Sequence, residues 1–342
     1  MKFLAIVLLL VIVAFSHALH AEPATSNAGD TPRRIVLLVD EIKAIRNFPV
    51  VLAERLGYLS DKEMTVTVMN TRDDTPHAEM LADGRVDAVM AYYHHNIVDQ
   101  SEGNATEAIV TLGVTPGAKV LVANASKEKY KTLADLKGSR FIAGGAGSSK
   151  STVANYLVLS GGNRITDYTR LGTDGKTNNT EALRNGTADF VVAPTPDGDF
   201  YEAQGVATTF ADLTTVEGTK KYFGVLFPSS TVYMTRERAK THPEIAQHLA
   251  DAFVRTLRYI NTHSAEEIAA IVPVEISGRD RAAYLKVLKE AKPMFATDGR
   301  MPADGAENEW RVLAEFKPSY RSVKPEQTYT NSFVDVALSR LR

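Results

Sequence analysis

A strand, a glycine-rich turn and a row of hydroxyl side chains follow one another at residues 141–152, which read FIAGGAGSSKST. Glycine lowers the steric cost of a tight turn, and serine and threonine are good residues to open a helix. The first N–H groups of a helix have no partner inside it and attract anions. We therefore predict a ligand-binding helix start formed by Gly147, Ser148, Ser149, Lys150 and Ser151.

Two other interpretations of this segment stay open. A nucleotide-binding loop, GxxxxGK[ST], would end at Lys150 and Ser151, but Ser149 stands where its second glycine is required. The other alternative is a capped helix that binds nothing. Of the two functional interpretations, a cradle for a small polar or anionic ligand fits the residues better than phosphate hydrolysis.

A second group of candidate residues follows the apolar run Ala88–Ala91. Ligands of open α/β sheets bind at the carboxyl ends of strands, so we predict that Tyr92, Tyr93 and His94 line a ligand site, with ordinary packing as the alternative. In extended chain His94 and His95 would point to opposite faces, which makes a poor metal pair. We predict no metal site.

The loop at residues 40–48 follows the first predicted strand and carries mixed charges. It either contacts a ligand or is simply solvated. We include its last two residues, Asn47 and Phe48, among the candidate ligand-binding residues. Thr195 is a further candidate, expected to join Tyr92, Tyr93 and His94 on the wall opposite the helix start. No GxSxG motif or ordered serine, histidine and acid is present, so the sequence gives no support for catalysis or for a cofactor.

Strands and helices alternate along the chain, which predicts an α/β fold with parallel sheets. Apolar runs such as Ile35–Val39 fit strands buried on both faces. We predict one lobe from residues 33–125 and 229–342 and a second from residues 126–228, joined by two crossing strands. Helical periodicity dominates after His242, and those helices are expected to wrap the first lobe.

The amino terminus reads as an export signal. Residues 1–21 combine Lys2, an apolar run of about 12 residues and a small-residue cleavage site, and residues 22–32 are expected to be flexible. Cysteine is absent, which excludes disulfides, thiolate metal sites and a lipid anchor on cysteine. With 39 basic and 41 acidic residues, the charge is nearly balanced, which argues against nucleic acid as a partner. We expect a periplasmic monomer.

Several motifs resemble the periplasmic solute-binding proteins of ABC importers, in particular the nitrate, sulfonate, taurine and thiamine-pyrimidine precursor group. They are Pro49–Tyr58, Gly84–Ala88, Leu133–Gly138 followed by Phe141–Gly147, Ala188–Ala193, and His242–Glu244. The resemblance covers most of the chain after the signal.

This resemblance implies a type II periplasmic-binding fold, with two Rossmann-like lobes that trap a small molecule and deliver it to a membrane permease without changing it. Two alternatives remain. One is a soluble sensor that signals to a receptor. The other is an enzyme like the pyrimidine-precursor synthase of this group, but that type depends on a cysteine-rich motif that this chain lacks.

Overall fold

The computed structural model describes residues 32–40, 42–71, 76–172, 175–195 and 197–341. The predicted signal peptide and nearly all of the predicted flexible segment lie outside the described residues. The strands are β1 Arg33–Asp40, β2 Met64–Thr71, β3 Ala88–Tyr92, β4 Thr106–Thr111, β5 Ala118–Ala123, β6 Arg140–Ile142, β7 Thr169–Leu171, β8 Phe190–Pro194, β9 Ala207–Leu213 and β10 Ser230–Thr235.

The helices follow the same order. They are α1 Phe48–Arg55, α2 His77–Ala82, α3 His94–Ser101, α4 Ser149–Ser160, α5 Lys176–Arg184, α6 Asp197–Ala203, α7 Val216–Phe223, α8 Arg236–Thr241, α9 Pro243–Thr262, α10 Ala265–Ile271, α11 Val274–Ser277, α12 Arg281–Ala291, α13 Ala303–Phe316 and α14 Ser332–Arg340. Short 3-10 turns occur at Ile45–Asn47, Leu133–Leu136, Lys292–Met294, Pro318–Ser322 and Pro325–Gln327. Within the described residues no helix is both long enough and apolar enough to span a bilayer.

The strands form two five-stranded sheets. The first has the order β2-β1-β3-β10-β4 and the second β7-β6-β8-β5-β9. Each sheet contains one antiparallel strand between parallel neighbours, β10 in the first and β5 in the second. The expected α/β class is confirmed, but the sheets are mixed because the chain crosses between lobes and enters the new sheet in the reverse direction.

The place where the chain first passes from one lobe to the other differs from the prediction. The predicted first lobe includes residues 118–125, but β5 pairs with β8 and β9 of the second sheet. An apolar strand run does not say which sheet it joins. The chain therefore enters the second sheet at Ala118 and returns to the first sheet at β10.

The two segments that connect the lobes run side by side. The N–H of Leu112 donates to the carbonyl of Ser230 at 2.7 Å, and the N–H of Phe227 donates to the carbonyl of Val114 at 3.1 Å. These backbone hydrogen bonds tie the outgoing and returning chains together at the base of the groove between the lobes.

Each lobe uses the same turn to enter a central strand. Asp87 before β3 accepts the N–H of Val36 at 2.8 Å, and Asp189 before β8 accepts the N–H of Arg140 at 2.9 Å. Gly84 and Gly186 precede them with φ of 69° and 74°, a region that favours glycine. This local chemistry explains the Gly-to-Asp motifs seen in the sequence.

The C-terminal helices pack mainly on the first lobe, as expected. The long helix α9 buries Ile245, Leu249, Phe253, Leu257 and Ile260 in the core beneath the first sheet. Helix α13 also reaches the second lobe, where Val312 joins the core that contains α4. A C-terminal helix thus contacts both lobes.

Candidate functional site

A cavity of about 470 Å³ lies between the two lobes. Its first-lobe wall contains Asp40, Ala44, Arg46, Tyr92, His94 and His95. Its second-lobe wall contains Ala146, Gly147, Ser148, Ser149, Lys150, Pro194 and Asp197. The carboxyl ends of β1, β3 and β8 and the start of α4 therefore meet around one space.

Two cavities of similar size are lined mainly by C-terminal residues, and the larger of them also contacts Val114, Val216 and Leu226. They measure about 500 and 530 Å³ and share Thr297, Asp298 and Arg300 in their walls. Arg300 is already paired with Asp298 and Asp335. We place the candidate site in the inter-lobe cavity, where both lobes supply polar side chains.

The start of α4 forms part of the cavity wall, but two of its hydroxyl groups form hydrogen bonds at the helix start itself. Ser148 is the N-cap, and its Oγ accepts from Ser151 N at 3.3 Å. Ser151 Oγ donates back to the Ser148 carbonyl at 2.8 Å, and the residue is only 1% exposed. Ser149 and Lys150 are the half-buried residues left to face a solute.

The first-lobe wall carries a cation held against an acid and an aromatic ring. The Arg46 guanidinium is 3.1 Å from Asp40 Oδ2 and lies 4.9 Å from the centre of the Tyr92 ring. These contacts fix the direction of the guanidinium. Arg46 belongs to the loop at residues 40–48, whose mixed charges were the signal that could have identified it.

The two histidines after β3 adopt a different geometry from the extended one expected. They begin helix α3, and their rings stack with centroids 4.4 Å apart. Burial lowers the pKa of His94 to about 4; burial, reinforced by the neighbouring His94, His77 and Arg46, lowers that of His95 well below its usual value. Both imidazoles are therefore neutral near pH 7. Within the described residues no group of three His, Cys, Asp or Glu side chains is placed to hold a metal ion.

Five of the predicted residues do not line the cavity, because the protein uses them elsewhere. Asn47 is buried and donates to the Asp40 carbonyl, and Phe48 lies in the core of the first lobe. Tyr93 is buried with its hydroxyl bonded to Thr328. Thr195 donates its N–H to Gly117 at 2.9 Å, and Ser151 is buried in α4 as described above.

The remaining predicted residues do come together in the cavity wall: Tyr92, His94, Gly147, Ser148, Ser149 and Lys150. The cavity wall also contains residues that were not among the predicted ones: Asp40, Ala44, Arg46, His95, Ala146, Pro194 and Asp197. Pro194 is the last residue of β8 and Asp197 begins α6 shortly after it, so the rule that ligands bind at the carboxyl ends of strands could have identified them.

Comparison with known proteins places the chain in a family. A family model described as NMT1/THI5 like matches residues 45–267. No curated protein matches the sequence.

Solved structures share the fold. A protein from Bordetella bronchiseptica RB50 is 26% identical with a TM-score of 0.72, covering 90% of this chain and 98% of its own. A putative periplasmic sulfonate-binding protein of a sulfonate ABC transporter from Methylobacillus flagellatus KT is 14% identical with a TM-score of 0.69, covering 91% and 95%. The desulfurization enzyme DSZB is 14% identical with a TM-score of 0.62, covering 91% and 100%. The fold is therefore that of type II periplasmic binding proteins, and by the match over residues 45–267 the chain belongs to the NMT1/THI5-like family.

Proposed function

We propose that this protein captures a small polar or anionic organic solute in the inter-lobe cavity outside the cytoplasm and delivers it to an ABC importer. The observation that carries the proposal is the cavity itself, whose walls come from both lobes and include the start of α4 with Lys150. Sulfonates, carboxylates and pyrimidine-like compounds are the candidate solutes.

The charges of the cavity favour an anionic group on the solute at the start of α4. Lys150 forms no ion pair with any described residue, whereas Arg46 is paired with Asp40 and Asp197 with Lys176. Charge-assisted hydrogen bonds contribute roughly 1.5–3 kcal/mol each. A micromolar dissociation constant corresponds to about −8 kcal/mol, which a few such contacts and modest apolar burial can supply.

Capture without turnover is the mechanism we propose. The cavity histidines are neutral and stacked on each other. The Ser148 hydroxyl donates to the Ala143 carbonyl and the Ser151 hydroxyl to the Ser148 carbonyl, so both are already used within the protein. Closure of the lobes about the two connecting segments would enclose the solute. Because DSZB has the same fold, the chemical fate of the solute is part of the test.

The test begins with native mass spectrometry of the freshly purified protein, followed by a thermal-shift screen of sulfonates, nitrate, carboxylates and pyrimidines. We expect one solute class to bind and to be recovered unchanged. The double variant Ser149→Ala, Lys150→Ala should weaken binding at least about tenfold, whereas Lys137→Ala, at an exposed residue of the same lobe, should not. Unchanged affinity in the double variant, or conversion of the solute, would refute the proposal.

Delivery to an importer needs a separate experiment. A strain that lacks this protein should lose uptake of the identified solute, and a permease and an ATPase encoded beside it are expected. Retained uptake together with a lost transcriptional response would instead support a soluble sensor. Cell fractionation and N-terminal sequencing test the proposed periplasmic location and signal cleavage near residue 21, and light scattering tests the expected monomer.

A further inference from the structure

One ion pair joins the two lobes directly. Lys286 Nζ on α12 is 3.1 Å from Asp199 Oδ2 on α6. Helix α12 belongs to the first lobe, since Leu288 and Ala291 are buried in its core. Helix α6 packs on β8 and β9 of the second sheet. The pair therefore spans the groove between the lobes.

Asp199 is held in place from its own side of the groove. Lys119 on β5 donates to Asp199 Oδ1 at 2.6 Å and also lies 3.4 Å from Glu202. The hydrogen bond from Lys119, opposed by partial burial and aided by Lys286, lowers the pKa of Asp199. Its carboxylate is thus charged and oriented, with the second oxygen directed at Lys286.

The pair lies close to the candidate site on both sides. Asp199 is two residues after Asp197, which lines the cavity. Helix α12 lies against the turn Ile45–Asn47, which carries the cavity residue Arg46. Lys286 and Asp199 therefore connect two segments of the cavity wall. One carries Arg46 in the first lobe, and the other carries Asp197 in the second.

We infer that Lys286 is a positioning residue which, through Asp199, holds the lobes closed over the bound solute and slows its release. The inference rests on the proposed function, because it assigns a role in retaining that solute. The physical reason is that the pair exists only at this separation of the lobes, so it stabilises this arrangement against one in which the lobes lie farther apart. An exposed pair of this kind changes such an equilibrium by roughly two- to fivefold.

The chain offers a matched control on the same helix. Lys289 Nζ pairs with Glu266 at 2.5 Å, and both residues belong to helices of the first lobe. Removing Lys289 deletes one lysine and one ion pair but nothing that spans the groove. The Lys286→Arg variant keeps the positive charge and should retain the ion pair with Asp199.

The experiment compares wild type with Lys286→Ala, Lys286→Arg and Lys289→Ala. With the solute found in the screen, stopped-flow measurements should show release about two- to fivefold faster in Lys286→Ala, with association changed less than about twofold. Lys286→Arg and Lys289→Ala should behave as wild type. High salt should raise the wild-type release rate toward that of Lys286→Ala.

A second measurement needs no solute. Fluorescent labels on the two lobes of the full chain should report a greater mean separation in Lys286→Ala than in Lys289→Ala, and the difference should shrink in high salt. Equal separations, or equal release rates in the two alanine variants, would overturn the inference. Failure of every solute to bind wild type would instead refute the proposed function, and the separation measurement would still decide the role of Lys286.

Discussion

Ser229 donates its backbone N–H to the carbonyl of Gly113 at 2.9 Å, so the returning and outgoing connections touch at a residue without a side chain. A Cβ atom built on Gly113 would lie 2.2 Å from Ser229 Oγ and 3.3 Å from Ser230 N. The two connections can approach this closely only because residue 113 is glycine.

The Gly113→Ala variant should therefore be destabilised by about 1–3 kcal/mol, because the added methyl group overpacks a buried contact. Urea unfolding measures the change. Ser229 Oγ is buried without a hydrogen-bond partner among the described residues, so Ser229→Ala alone should be nearly neutral. In the Ser229→Ala background the Gly113→Ala change should cost clearly less. An equal cost in both backgrounds would show that the hydroxyl is not the obstacle.

Glu309 on α13 is fully buried, and neither carboxylate oxygen has a hydrogen-bond partner among the described residues. Burial raises its pKa well above the usual value, so the folded protein keeps the proton that the unfolded chain releases above about pH 4.5. The Glu309 carboxyl group therefore lowers the free energy of unfolding as pH rises. We expect Glu309→Gln to stabilise the protein, by an amount that grows between pH 5 and pH 8 in chemical unfolding, at up to about 1.4 kcal/mol per pH unit. A difference in unfolding free energy between Glu309→Gln and wild type that stays constant with pH would contradict a raised pKa of Glu309.

His94 should make the protein sensitive to acid. Its pKa of about 4 in the folded protein is below the value of about 6.5 in an unfolded chain. As pH falls through this interval, the unfolded state takes up a proton that the folded state does not, and stability falls by roughly 3 kcal/mol at most. In His94→Gln the plot of unfolding free energy against pH should be flatter between pH 6.5 and pH 4. If the plots for wild type and His94→Gln ran parallel, His94 would not be the source of the acid sensitivity.

Ser148 and Ser149 are neighbours with different expected roles. Ser148→Ala removes the N-cap of α4 and should lower stability by about 1 kcal/mol. Ser149 faces the cavity without capping the helix, so Ser149→Ala should change the unfolding free energy by less than about 0.5 kcal/mol while weakening solute binding. Thermal unfolding and calorimetric titration of both variants separate these effects. If Ser149→Ala lowered stability and Ser148→Ala weakened only solute binding, the two roles would have to be exchanged.

Local patterns in the sequence predicted much of the fold. The buried run at Ile35–Val39 and the spacing after Ser149 each specify an element by themselves, and both elements are present. The pairing of β5 with β8 and β9 could not be predicted, because strand pairing depends on contacts between residues far apart in the chain. The strand at Thr106–Thr111 was not predicted. It lies at the edge of the first sheet, where its partners are β10 and Tyr329, both far along the chain.

The rule about strand ends selected loops that border the inter-lobe cavity. It could not tell Tyr92, which faces the cavity, from Tyr93, which is buried and bonded to Thr328. The stacking of His94 on His95 depends on α3 starting at His94. The direction of each of these side chains depends on how the loop packs against the rest of the protein, so it could not be predicted from the sequence of the loop alone.

The insertion of β10 between β3 and β4 has a consequence for how the chain folds. All strands of the second sheet come from one stretch between Ala118 and Leu213, whereas the first sheet lacks an interior strand until Thr235 has been made. Contacts between distant residues form slowly because a long loop must close first. A chain growing from its amino terminus can therefore complete the second sheet while strands of the first sheet still have unpaired edges, and protection from aggregation is needed most during that interval.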